Sequence, residues 1–170
     1  MAMYNSRMTR RHPKLVIACV GAALLLAGCR SREVEKDLRI TDVNTGWYDA
    51  GIVEGQNKLV PSVSFRLQNI SGEAISKVQL NAVFHAVNEP AKAWGDTMIR
   101  GIGSNELAPG GSGDRLVMRS PLGYTGTEPR LVMLKNSQFV DATVTVFGRH
   151  GSRNWVKMGE FPVERQLLTE

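Results

Sequence analysis

The residue best equipped for chemistry in this 170-residue sequence is Cys29. It follows Leu26-Ala27-Gly28, so a thiol nucleophile stands beside side chains small enough for a peptidase to cut the Gly28–Cys29 bond. The other cysteine, Cys19, lies in an apolar run and leaves with it if that bond is cut. Cys29 then has no second thiol for an internal disulfide or a cysteine-based metal site. A lone thiol in an exported chain needs another use, and covalent lipid attachment supplies one.

Other reactive side chains are sparse. His85 sits on the polar phase of an alternating run and His150 in a glycine-flanked turn. A metal site needs three or four converging ligands, and no spacing here brings them together. Glu54, Glu73, Glu89, Asp96 and Glu106 fall in or beside expected turns, where carboxylates are solvated. There is no Gly-x-Ser-x-Gly elbow and no His-Glu-x-x-His pair. Gly101-Ile102-Gly103 is too short for a phosphate-binding fingerprint, and no expected helix follows it. No enzyme activity and no cofactor are expected. Two aromatic residues are candidate contact groups: Trp94 beside Gly95, and Tyr124 in the Gly- and Pro-rich stretch Ser120–Arg130. Packing back onto the domain is the expected role for both.

The elements around Cys29 are those of an export signal. Arg10-Arg11-His12-Pro13-Lys14 is a basic segment, and Leu15 to Gly28 is an apolar one. Fourteen residues of helix reach roughly 21 Å, short of the roughly 30 Å hydrocarbon core of a bilayer, so a spanning helix is disfavoured. The charge belongs to this segment too. The chain has 21 basic and 16 acidic residues, but residues 1–28 hold four of the basic ones and no acid, leaving 17 against 16. A nearly neutral mature chain excludes a nucleic-acid partner.

Leu26-Ala27-Gly28-Cys29 resembles the lipobox of bacterial lipoproteins at every position. The resemblance implies a diacylglycerol thioether on Cys29, cleavage after Gly28, and acylation of the new amino terminus. It also implies attachment to the cell envelope through the N-terminal lipid. Arg30 follows the cysteine where an aspartate would retain a Gram-negative lipoprotein in the inner membrane, so the outer membrane is favoured in such an organism. The expected organisation is a signal peptide over 1–28, a lipidated cysteine and charged tether over 29–37, and one β-sandwich domain over 38–170.

The domain reads as strands and turns. Val63, Phe65 and Leu67 alternate with Ser64, Arg66 and Gln68, and Val78, Leu80, Ala82 and Phe84 alternate with Gln79, Asn81 and Val83. Period-two alternation marks strands with one buried face. With Asn69-Ile70-Ser71-Gly72-Glu73 between them, the two runs are expected to form an antiparallel hairpin. Asn69-Ile70-Ser71 reads as a turn, not a glycosylation site. Leu38 to Val43, Trp47 to Val53, Thr97 to Ile102, Leu116 to Met118, Ala142 to Val146 and Trp155 to Val163 complete seven or eight strands. The last, with Pro162 inside it, is expected at a protected sheet edge, because proline cannot donate to a ladder. Gly148 to Ser152 is expected to turn the chain, and Leu131 to Asn136 to be a strand or a single helical turn.

This pattern predicts an all-β fold, an antiparallel sandwich of about seven strands. The run from Val63 to Phe84, followed by Leu107-Ala108-Pro109-Gly110-Gly111-Ser112, resembles the immunoglobulin-like domains of bacterial envelope proteins, the FxLYD type and YcfL-like lipoproteins. That resemblance implies the fold and supplies no catalytic residues. The expected function is a noncatalytic interaction or scaffolding module for an envelope protein partner. The alternative is a lipoprotein that holds a small apolar or glycan ligand; a hydrolase ranks below both.

Overall fold

The computed structural model describes residues 33–169. Gly28, Cys29, the apolar run and the first part of the tether lie outside the described residues. A helical turn, α1 (Val34–Asp37), opens the described chain. Six strands follow: β1 (Leu38–Val53), β2 (Gln56–Asn69), β3 (Val78–Ala86), β4 (Ala93–Ile102), β5 (Leu116–Arg119) and β6 (Tyr124–Gly126). After a second helix, α2 (Arg130–Lys135), come β7 (Ala142–His150), β8 (Val156–Pro162) and β9 (Leu167–Leu168).

The strands form two sheets that face each other as a sandwich. One has the order β5-β2-β1-β9 with β6 beside the start of β2, and the other has the order β4-β3-β7-β8. All pairings are antiparallel except β1 with β9. In immunoglobulin lettering, β1, β2 and β5 stand as A, B and E, and β4, β3, β7 and β8 as C′, C, F and G. The core lies between the inner faces. Val63, Phe65, Val78, Leu80, Ala82, Phe84, Val144 and Val146 are all fully buried there, and each large side chain contributes about 1.5–3 kcal/mol by leaving water.

Several expectations change. The two runs expected at 38–43 and 47–53 are one strand, bent by bulges after Thr41 and Asp49. Asp42 takes up the first irregularity at φ 52°, a left-handed conformation that aspartate tolerates better than most residues. β1 and β2 then close through Glu54-Gly55, both at positive φ, the two-residue hairpin turn whose twist matches the strands.

The hairpin expected between β2 and β3 does not form. β2 pairs with β1, β5 and β6, whereas β3 pairs with β4 and β7 in the opposite sheet. The connection is an arch, because the inward residues of both strands are buried against each other across the core. Asn69 turns the chain by accepting from the Ser71 N–H and Oγ–H while donating to the Glu73 and Leu107 carbonyls.

Elsewhere, β7 runs through Gly148 to His150, so the turn is confined to the residues after it. A Cβ at Gly148 would lie 2.3 Å from the Met158 sulfur and 3.0 Å from Val34 Cγ1, so the missing side chain makes room for α1. The end of the tether is therefore part of the fold, with Val34 buried. Leu131 to Asn136 resolves as helix, with Met133 and Leu134 buried. β8 is the edge strand expected from Pro162.

Candidate functional site

β1, β3, β5 and β6 run into loops at the same end of the sandwich: the Glu54-Gly55 turn, residues 87–92, residues 120–123 and the segment 127–141. Four aromatic residues from distant parts of the chain meet just inside this end. Trp47 on β1 is fully buried. Its ring lies 4.5 Å from Phe139 edge-on, 5.6 Å from Tyr124 and 5.8 Å from Trp94. Tyr124 in turn sits 4.4 Å from Phe139 and 5.1 Å from Trp94, the latter T-shaped. Edge-to-face and tilted pairs at these distances add about 0.5–1.5 kcal/mol each beyond burial.

Trp94 and Tyr124 are thus brought together, and both pack as expected. Their settings differ from the sequence reading, which put each in a connection. Trp94 is the second residue of β4, and Tyr124 opens β6 against Leu59. Gly123 permits that pairing, since a Cβ there would lie 2.0 Å from the Leu59 carbonyl oxygen. The Tyr124 hydroxyl accepts the Val140 N–H at 3.0 Å and donates to the Val140 carbonyl at 3.3 Å. Burial, first of all, raises its pKa, and the Val140 N–H and the Arg165 charge only partly oppose this. The phenol therefore stays protonated at neutral pH and serves as a packing and hydrogen-bonding group, not a base.

Two ion pairs brace the cluster. Arg165 binds Asp141 at 2.5 Å, donates to the Phe139 carbonyl at 2.8 Å, and holds its guanidinium carbon 5.4 Å from the Phe139 ring. Arg130, at the start of α2, pairs with Asp49 of β1 at 2.5 Å. Burial pushes the Asp49 carboxyl up, but the Gly51 N–H and Arg130 together outweigh it and hold it below its ordinary value. A depressed folded pKa contributes stability that is fully present above the unfolded value, about 3.9, and lost as pH falls through the folded one. Asp49→Asn should therefore be less stable than the wild type at neutral pH, with the gap closing in acid. Urea denaturation of both proteins across pH checks this, and a gap independent of pH would remove the charge from the explanation.

The cluster floors two cavities. One of about 460 Å³ is lined by Trp94, Leu122, Tyr124 and Val140 with Asn88, Glu89 and Lys92. The other, about 400 Å³, is lined by Tyr124, Met133 and Phe139 with Glu128, Asn136 and Gln138. Around them Val87, Leu122, Leu131 and Val132 are each about half exposed. Trp47 and Phe139 were not singled out from the sequence. Positions 47, 94, 124 and 139 carry no common motif, and only the fold makes them neighbours.

His85 lies on the outward face of β3, with Nδ1 3.3 Å from the Lys92 carbonyl oxygen. Among the described residues no three His, Cys, Asp or Glu side chains gather as a metal site would require.

No family model matches the chain, and no curated protein matches it. Among solved structures, the chain is similar to one titled "X-ray structure of Northeast Structural Genomics Consortium target SoR45". The two are 13% identical, over 77% of this chain and 89% of that one, with a TM-score of 0.42.

Proposed function

We propose that the chain is a membrane-anchored envelope lipoprotein whose immunoglobulin-like sandwich is a noncatalytic interaction module. One observation carries the reading: Leu26-Ala27-Gly28-Cys29 ends an apolar run that follows a basic segment, and Cys29 stands four positions before Glu33, the first of the described residues. The end of the domain distant from α1 supplies the contact surface. Half-exposed Val87, Leu122, Leu131 and Val132 surround the aromatic cluster there, with polar Asn88, Lys92 and Gln138 at the cavity rims. Apolar groups within a polar rim are the usual anatomy of a protein contact. The partner is an envelope protein.

A second reading is favoured by the cavities that meet at Tyr124. Their volumes fall in the range of small-molecule sites, and aromatic rings with a few polar neighbours suit an apolar or glycan ligand.

Intact and native mass spectrometry of the membrane-extracted protein tests both. The expected mature species begins at Cys29 and carries a diacylglyceryl mass, which Cys29→Ala abolishes together with membrane retention. A species without that mass, or one still carrying residues 15–28, refutes the anchor. A noncovalent adduct of a few hundred daltons in the native spectrum would favour the ligand reading over the protein-contact one.

A further inference from the structure

The opposite end of the sandwich carries the observation that goes furthest. On the outward face of the second sheet, register aligns Arg100 of β4, Gln79 of β3 and Arg149 of β7 in one row across three strands. Arg149 donates to the Gln79 side chain at 2.7 Å and lies over the Trp155 ring at 4.5 Å, which extends the row to the edge of the sheet. Lys77 stands just before β3 and lines a 370 Å³ cavity with Arg100, Ser104 and Gly151. Arg153 is exposed on the β7–β8 turn. None of Lys77, Arg100, Arg149 and Arg153 forms an ion pair with another described residue.

Lys77 is held in an unusual way. Its N–H donates to the Gly103 carbonyl at 3.0 Å, and its carbonyl accepts the Gly151 N–H at 2.9 Å. Its φ is 56°, a conformation that glycine or asparagine adopts more readily. The fold therefore holds a strained residue between two neighbouring loops, and the side chain delivered there is an ammonium.

This surface adjoins the start of the described chain. Glu33, Val34 and Glu35 line a second cavity, about 320 Å³, together with His150, Arg153 and Asn154. Three residues separate Cys29 from Glu33, and a chain spans at most about 3.6 Å per residue, so the four steps keep Cys29 within roughly 14 Å of Glu33. Acidic residues occur at this end as well, notably Glu35, Glu73 and Glu106. The end as a whole is mixed in charge, and the excess of cations is local to the outward row.

We infer that this face, with Lys77, Arg100, Arg149, Arg153 and Trp155, rests on anionic phospholipid headgroups of the bilayer that holds the anchor. The inference rests on the lipoprotein reading and adds an orientation to it. Each cation brought to an anionic surface strengthens the contact about five-fold, and tryptophan beside cations suits the headgroup region. The contact leaves the aromatic end pointing away from the membrane, where a partner reaches it.

The test uses the mature, extracted protein reconstituted in vesicles of phosphatidylcholine, with or without a quarter phosphatidylglycerol. Hydrogen exchange is read at residues 77–80 and 149–157, with the intact mass taken on the same sample. Exchange at both segments should slow in the anionic vesicles only, and salt should reverse the effect. The triple variant Lys77→Glu, Arg100→Glu, Arg153→Glu should lose the protection. The matched variant Lys58→Glu, Lys92→Glu, Lys135→Glu, at the other end, should keep it. A diacyl mass with no lipid-dependent protection, or equal loss in both variants, overturns this inference and leaves the anchor standing. Absence of the diacyl mass overturns both.

Discussion

Replacing Asn69 with aspartate should destabilise the domain by about 3–5 kcal/mol at neutral pH, although the two side chains have nearly the same volume. Asn69 is fully buried, and its amide nitrogen donates to the Glu73 and Leu107 carbonyls, both at 2.8 Å. A carboxylate turns those two attractions into repulsions between lone pairs, at a fully buried position. Its main chain is committed as well, since the N–H donates to Gly111 and the carbonyl accepts from Gly110, each at 2.9 Å. The residue therefore ties the arch between the sheets to the Leu107–Gly111 segment. Urea denaturation of wild type and variant measures the loss. Because the aspartate must lose its charge to be tolerated, the deficit should shrink as pH falls. A loss below about 1 kcal/mol would show that the side chain does not hold the arch.

Trp47→Ala should cost about 3–5 kcal/mol, the range for removing a large buried aromatic side chain. The indole touches Trp94, Tyr124 and Phe139, so its removal leaves three rings without their common partner. The adjoining cavities then gain volume instead of collapsing. Trp47→Phe should cost much less. The Trp47 Nε1–H is buried with no hydrogen-bond partner among the described residues, and deleting an unsatisfied donor offsets part of the lost packing. Thermal unfolding of both variants, with near-ultraviolet circular dichroism of the cluster, separates these outcomes. Equal losses would mean that the indole nitrogen contributes more than the ring.

The arch and the cluster show how far the sequence could be read. Alternation over 63–67, 78–84 and 142–146 marked three strands and assigned their inward residues, because successive side chains on a strand must face opposite ways. Pro162 marked an edge for an equally local reason. The bulges in β1 were illegible. A bulge adds a residue to one strand without breaking its pairing, so one long strand read as two. Gly148 read as a turn signal because its real role, making room for Val34 and Met158, depends on residues far from it in sequence.

What the sequence determined alone is what one short segment determines: the lipobox-like tetrapeptide that carries the proposed anchor, the faces of the alternating strands, and the Asx turn at Asn69. Tertiary structure decided which strands pair. A backbone ladder offers the same hydrogen bonds to any neighbour, so the choice between hairpin and arch fell to the burial of Phe65 and Leu67 against Leu80 and Phe84 across the core. It also decided the functional surfaces. Trp47, Trp94, Tyr124 and Phe139 at one end, and Lys77, Arg100, Arg149 and Trp155 at the other, become neighbours only after two sheets close on each other. Contacts between distant residues leave no spacing in the chain to read.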